Sequence, residues 1–120
     1  MKVLIAEDNY MNQLLMIRYM SKLGWDYEVV DNGLKATEAC RCGLFNAVLM
    51  DIDMPVLDGI EATRCIREFD PKTPIIAITA YADDQMRSKC AEVGMNAFLA
   101  KPCSREEIKN TIDGCIEKVL

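Results

Sequence analysis

Several apolar runs stop on residues able to do chemistry. Val3-Leu4-Ile5-Ala6 ends at Glu7-Asp8, Ala47-Val48-Leu49-Met50 at Asp51, Ile75-Ile76-Ala77-Ile78 at Thr79, and Ala97-Phe98-Leu99 near Lys101. If these runs are strands of one parallel sheet, the residues following them collect at one rim, where such sheets bind ligands. The set is three carboxylates, one ammonium and one hydroxyl. Packed alone, the acids would repel and raise one another's pKa values. A divalent cation removes the problem, because its charge and that of Lys101 together offset Glu7, Asp8 and Asp51. Hard oxygen donors favour Mg²⁺, with Mn²⁺ as second candidate, and Mg²⁺ on one or two carboxylates leaves positions for phosphate oxygens. The rim therefore suits a phosphoryl group. Any member alone has a plainer reading: an acid at a strand end is usually a loop residue or helix cap, as for Asp58 and Asp83, and a lone lysine is a solvated charge. It is their joint placement that points to chemistry.

The elements that position these residues can be read from periodicity. Continuous apolar runs that end abruptly are strands buried on both faces. A helix is expected from about Tyr10 to Leu23, stopped by Gly24, followed by a strand at Tyr27-Glu28-Val29-Val30 and a helix from Leu34 to Arg41. After the Pro55 to Gly59 loop, Ala62, Cys65, Ile66 and Phe69 share one helical face, closed by Pro71 and Pro74. Met86, Cys90 and Val93 mark a fourth helix, up to Gly94. In the last, Ser104 and Glu107 form a capping box and Ile108, Ile112, Cys115 and Val119 one stripe. Strand and helix alternate five times. Right-handed crossovers then give an α/β fold, a parallel sheet with helices on both faces.

The chain of 120 residues, 51% hydrophobic and 28% charged, is expected to be a single domain over residues 1–120. Its net charge of −5 opposes docking on nucleic acid or anionic lipid. With no histidine, it can hold no Ser-His-Asp or Cys-His catalysis, no His-ligated zinc and no phosphohistidine of its own. Cys40, Cys42, Cys65, Cys90, Cys103 and Cys115 have no signal peptide before them and match no zinc ribbon, so they read as small reduced core residues. No apolar run approaches a membrane span. A soluble, cytoplasmic protein is expected.

Glu7-Asp8-Asn9, then Met50 to Gly59 with Asp51, Asp53, Pro55 and Asp58, then Thr79-Ala80 and Lys101-Pro102, occur in an order and spacing that resemble the receiver domain of two-component response regulators. The stretch from Glu7 to Gln13 is similar to receivers attached to hybrid sensor kinases. The resemblance implies a flavodoxin-like (βα)5 doubly wound sheet of strand order 2-1-3-4-5. It implies that Asp51 takes a phosphoryl group from a phosphohistidine on a histidine kinase or histidine phosphotransfer protein, and that the aspartyl phosphate is self-catalysed, so the chain is not an enzyme in the turnover sense. Glu7, Asp8, Asp51 and the backbone carbonyl of Asp53 would hold Mg²⁺, and Lys101 and Thr79 would contact the phosphoryl oxygens. Thr79 and Phe98 would form a switch that repacks the face of the fourth helix, fifth strand and fifth helix. Phe98, lacking a hydroxyl, should favour the buried rotamer. Asp53 and Tyr81 occupy the positions that tune phosphoryl lifetime; for Asp53 an outer contact to the metal and a plain exposed acid stay equally open. A cis Lys101-Pro102 bond is also implied. A receiver ending after its fifth helix would act through a downstream effector protein, serve as a phosphate sink, or be part of a hybrid kinase.

Met11, Leu14, Leu15, Met16, Ile17, Tyr19, Met20 and Leu23 cover more of the first helix than a core-facing stripe needs. Either part of that surface docks a partner's histidine-bearing helices or it is buried under a terminus. Two rivals remain. A Mg²⁺-dependent phosphohydrolase of the haloacid dehalogenase type would use Asp51 and Asp53 as a D-x-D pair, although that pair should follow the first central strand. A flavin or nucleotide binder would need a phosphate loop where Glu7-Asp8 stands.

Overall fold

The computed structural model describes residues 1–119; Leu120 and the side chain of Val119, which the sequence places on the last apolar stripe, lie outside the description. The order is β1 (Lys2–Ala6), α1 (Tyr10–Leu23), β2 (Asp26–Val30), α2 (Gly33–Cys42), β3 (Ala47–Asp51), α3 (Gly59–Phe69), β4 (Ile75–Thr79), α4 (Asp84–Glu92), β5 (Ala97–Ala100) and α5 (Arg105–Val119). All strands are parallel, in the order β2-β1-β3-β4-β5. This is the expected flavodoxin-like sheet.

Alternation along the strands sorts the core into two layers. Leu4, Ala6, Val48, Met50, Ile75 and Ala77 face one layer, with Ala36, Ala62, Ile66 and Cys90 from α2, α3 and α4. Val3, Ile5, Leu49, Ile76 and Ile78 face the other, with Met16 and Met20 of α1 and Ile108, Ile112 and Cys115 of α5. The central strands β3 and β4 are buried along their whole length, whereas the edge strand β2 exposes Asp26, Tyr27 and Glu28. Charges on an edge discourage further strand pairing. The cysteines divide: Cys40, Cys90, Cys103 and Cys115 are buried free thiols, but Cys42 is exposed and Cys65 only half-buried, so the core expectation holds for four of the six. Burial pushes the Cys40 thiol up to about 11 and raises those of Cys90, Cys103 and Cys115, which keeps them protonated and inert.

Each helix begins with a cap at the rim where the strands end. Asn9, Asn32, Asp58 and Asp83 accept from the backbone N–H groups of Asn12, Lys35, Glu61 and Met86, and Ser104 with Glu107 makes the reciprocal capping box. Asp58 and Asp83 thus have the structural role that the plain reading gave them. Gly24 ends α1 in the left-handed region, at φ 73°. At the opposite rim Arg67 of α3 donates to the carbonyls of Gly94 (3.0 Å) and Asp70 (2.9 Å) and to the Asn96 side chain (2.8 Å). It ties the end of α4 to the starts of β4 and β5.

Candidate functional site

Strand register decides which residues meet. Ala6 pairs with Met50, so Glu7 stands level with Asp51; Asp51 pairs with Ile78 and Thr79 with Ala100, one residue before Lys101. The chain order reverses between β1 and its neighbours β2 and β3, so these ends flank the crevice of a doubly wound sheet.

There the Lys101 ammonium donates to Glu7 Oε1 at 2.8 Å and to Asp51 Oδ2 at 3.0 Å. Both acids are buried, at 3% and 5% exposure, while Asp8 is exposed. One oxygen of each of Glu7, Asp8 and Asp51 lies within 4.8 Å of the others. The loop after β3 holds Asp51 from behind: Asp53 N–H donates to Asp51 Oδ1 at 3.3 Å, and Gly59 N–H to the Ile52 carbonyl at 2.9 Å. A Cβ on Gly59 would stand 2.2 Å from the Asp51 carbonyl oxygen, and one on Gly33 2.1 Å from that of Leu57, so only glycine permits this closeness. Between them Val56 takes φ 70° in a tight turn closed by Leu57 N–H to the Pro55 carbonyl at 2.7 Å. The Lys101-Pro102 peptide is cis, as the resemblance implied.

The electrostatics show a site short of positive charge. Burial, and then the neighbouring Glu7 carboxylate, push the Asp51 carboxyl up to about 7, against the pull of Lys101. Burial acts to raise Glu7 too, but hydrogen bonds with Asp51, Lys101 and the Asn9 N–H override it and hold Glu7 below the usual carboxylate range. Asp51 is thus the acid of the pair pushed toward its neutral form. Burial disfavours the Lys101 cation, yet its two carboxylate partners win and its pKa rises. Clustered hard oxygen donors whose mutual repulsion one ammonium does not fully offset fit a divalent cation.

Thr79 is buried at the same rim, its Oγ1 accepting from Tyr81 N–H at 3.0 Å; the Tyr81 side chain is 63% exposed. Asp53 is exposed. Phe98 is half-buried and packs against the core layer that holds Met50, Ala77 and Cys90, with the Arg87 guanidinium 4.7 Å from its ring centre. On α1, Met16 and Met20 are core residues and Ile17, Tyr19 and Leu23 half-buried, but Met11, Leu14 and Leu15 are exposed. Among the described residues no terminus covers those three side chains. Sequence reasoning gave no role to Gln13, whose side-chain amide donates to the Glu7 carbonyl at 2.7 Å, or to the Asn9 N–H on Glu7 Oε2 at 3.3 Å. The signal for Gln13 was its place one turn past the Asn9 cap, which turns it back toward the β1–α1 loop.

A family model described as the response regulator receiver domain matches residues 3–113. Hybrid signal transduction histidine kinase K of Dictyostelium discoideum is 34% identical over 97% of this chain, which spans only 10% of that kinase. The receiver domain of sensor histidine kinase PA1611 from Pseudomonas aeruginosa PAO1, solved with a magnesium ion coordinated in its active site cleft, is 37% identical with a TM-score of 0.90 over 97% of both chains. The receiver domain of Saccharomyces cerevisiae Ssk1, solved with the histidine phosphotransfer protein Ypd1, is 30% identical with a TM-score of 0.89 over 98% of this chain and 90% of that one. The phosphohydrolase alternative gains no support, since Asp51-Ile52-Asp53 follows the third strand in chain order and not the first. Kinship across nearly the whole length, on the same fold, places this chain in the response regulator receiver family of two-component phosphorelay signalling.

Proposed function

We propose that residues 1–120 form one receiver domain in which Asp51 accepts a phosphoryl group from a phosphohistidine on a partner protein. The observation that carries this is the Lys101 ammonium bridging two buried carboxylates, Asp51 and Glu7, beside Asp8 at the crevice of the sheet. Glu7, Asp8 and Asp51, with the backbone carbonyl of Asp53, would hold Mg²⁺, or Mn²⁺ as the second candidate. Bound there, the cation neutralises charge on the transferring oxygens.

The chain's own groups do the rest. A carboxylate oxygen of Asp51 forms the new bond to phosphorus while the phosphorus–nitrogen bond to the donor imidazole breaks, its electron pair staying on the ring. Lys101 is placed to pair with the phosphoryl oxygens, and the Thr79 hydroxyl to donate to another. The donor histidine must come from elsewhere, because the chain has none. The acyl phosphate is open to water, so the cycle closes by hydrolysis and no substrate is turned over as in an enzyme. Asp53 and Tyr81 tune that lifetime, with Tyr81 shielding the phosphoryl group. Movement of Thr79 toward the phosphate lets Phe98 turn inward, which repacks the α4-β5-α5 face for a downstream effector protein. The exposed Met11, Leu14 and Leu15 of α1 dock the helices of a histidine kinase or phosphotransfer protein. No helix among the described residues is long and apolar enough to cross a membrane; together with the acidic charge this supports a cytoplasmic protein whose partners are proteins and not nucleic acid or lipid.

Labelling with acetyl phosphate and Mg²⁺ tests the assignment. Wild type should gain one phosphoryl group and Asp51→Asn none; equal labelling of both would remove Asp51 from the role.

A further inference from the structure

Two grooves lie side by side along the seam between α1 and the β5–α5 connection. The first, of about 240 Å³, is lined by Asn12, Leu15 and Met16 on α1 and by Lys101, Pro102 and Cys103 opposite. The second, of about 330 Å³, is lined by Arg18, Tyr19 and Lys22 on α1 and by Ser104, Arg105 and Glu106 opposite. The Tyr19 hydroxyl donates to the Cys103 carbonyl at 3.1 Å and pins the seam between them.

Met11, Leu15, Arg18 and Lys22 recur at helical spacing and share one stripe of α1. That stripe changes character along its length. Its end beside Lys101 is apolar, with Met11 70% and Leu15 37% exposed. At 1.5 Å per residue, Lys22 lies about 10 Å further along the axis than Leu15. Arg18 and Lys22 have no ion-pair partner among the described residues, and Arg105, the third cation of the groove, reaches Glu106 only at 4.0 Å. A local excess of positive charge on a chain of net charge −5 is a directed feature against an opposing field. At the start of α5 the Glu107 carboxylate already accepts from the Ser104 N–H and Ser104 caps the Glu107 N–H, so a carboxylate stands where a small anion would sit. The groove instead suits carboxylates held on another protein, and it continues the apolar face already assigned to partner docking.

We propose that the phosphohistidine-bearing partner carries an acidic patch one to two helical turns beyond the apolar patch flanking its histidine, and that Arg18, Lys22 and Arg105 recognise it. This rests on the assignment of Asp51 as acceptor and of α1 as docking helix. The apolar end holds the complex, while the cationic end steers encounter and sets the orientation that brings the imidazole to Asp51.

Transfer rates from a panel of phosphorylated phosphotransfer proteins of graded surface charge, yeast Ypd1 among them, test this on wild type and R18E/K22E. At about 50 mM salt acidic donors should be fastest, R18E/K22E should be slower by about tenfold or more, and the difference should shrink at about 500 mM salt. Replacing the donor's acidic patch with lysines should restore transfer to R18E/K22E. Acetyl phosphate needs no docking, so it should label the variant at the wild-type rate. Failure of wild type itself to be labelled on Asp51 would instead defeat the acceptor assignment. Transfer at the wild-type rate in R18E/K22E at low salt, or rates indifferent to donor charge, would overturn the proposal. So would unchanged transfer with altered self-association or altered binding to phosphatidylserine vesicles, which would give the groove to a second copy or a lipid surface.

Discussion

Replacing Asp51 by Asn should stabilise the metal-free protein, although it removes the residue on which the proposed chemistry depends. In the fold the Asp51 carboxyl stands at about 7, against an ordinary value of 3.8. Its contribution to stability is fully present below the ordinary value and is lost as pH rises through about 7. At 1.36 kcal/mol per unit, the ionised carboxylate costs at most about 4 kcal/mol at pH 8. Asn keeps an oxygen for Lys101 but gives up the ion pair, so the expected net gain is about 2 kcal/mol, or roughly 8 °C in Tm for a domain of this size. Glu7 is lowered, so its stabilisation is lost only as pH falls below the ordinary carboxylate range and adds no slope between pH 5 and 8. Urea denaturation in EDTA at pH 5 and pH 8 reads the effect directly. Wild type should lose stability across that interval while Asp51→Asn stays nearly flat, and millimolar Mg²⁺ should raise wild type far more than the variant. Equal pH slopes, or a variant less stable than wild type at pH 8 without metal, would refute the account of a site lacking positive charge.

Lys101→Met should leave Glu7 and Asp51 facing each other without a cation, destabilising the metal-free fold at pH 8 by about 3 kcal/mol and slowing acetyl phosphate labelling; denaturation and labelling measure both, and the loss should be smaller at pH 5. Gly59→Ala places a methyl 2.2 Å from the Asp51 carbonyl oxygen, so the loop must shift; a stability loss of about 2 kcal/mol or more and slower labelling are expected, whereas Gly24→Ala, with open space but φ 73°, should cost about 1 kcal/mol and leave labelling intact. Tyr81→Ala should shorten the phosphoryl half-life, followed as loss of label after donor removal, and an unchanged or longer half-life would show that the ring does not shield the site.

Much of the frame was legible because the relevant signals are local. Apolar runs ending at Glu7, Asp51, Thr79 and Lys101 announce strands and a common rim, Ser104 with Glu107 announces a cap, and Gly24 a helix end. What could not be read depends on approach between distant segments. Nothing in the spacing of Gly33 and Gly59 says that each must admit a carbonyl oxygen within van der Waals reach. The Arg67 clamp joins four elements through backbone carbonyls and one amide, groups every sequence has. Composition likewise put all six cysteines inside, but Cys42 falls in the last turn of α2, on the side turned from the sheet. The Arg87 guanidinium over the Phe98 ring is a contact between helix and strand that periodicity does not encode.

The Arg67 clamp also shapes how α4 can respond. That helix buries only Cys90 fully, and its C-terminal end is tethered through Gly94, whereas its first turn, beside the Thr79–Asp83 loop, is held more lightly, by the Asp83 cap and the half-buried Met86. A rod tethered at one end pivots; it does not slide. Over a length of about 13 Å, a tilt of about 5° carries the first turn roughly 1 Å and leaves the last turn in place. Displacement on this face is therefore graded from the loop toward the tether, and a binding protein gripping only the Ala91–Gly94 end would be blind to the state of the rim.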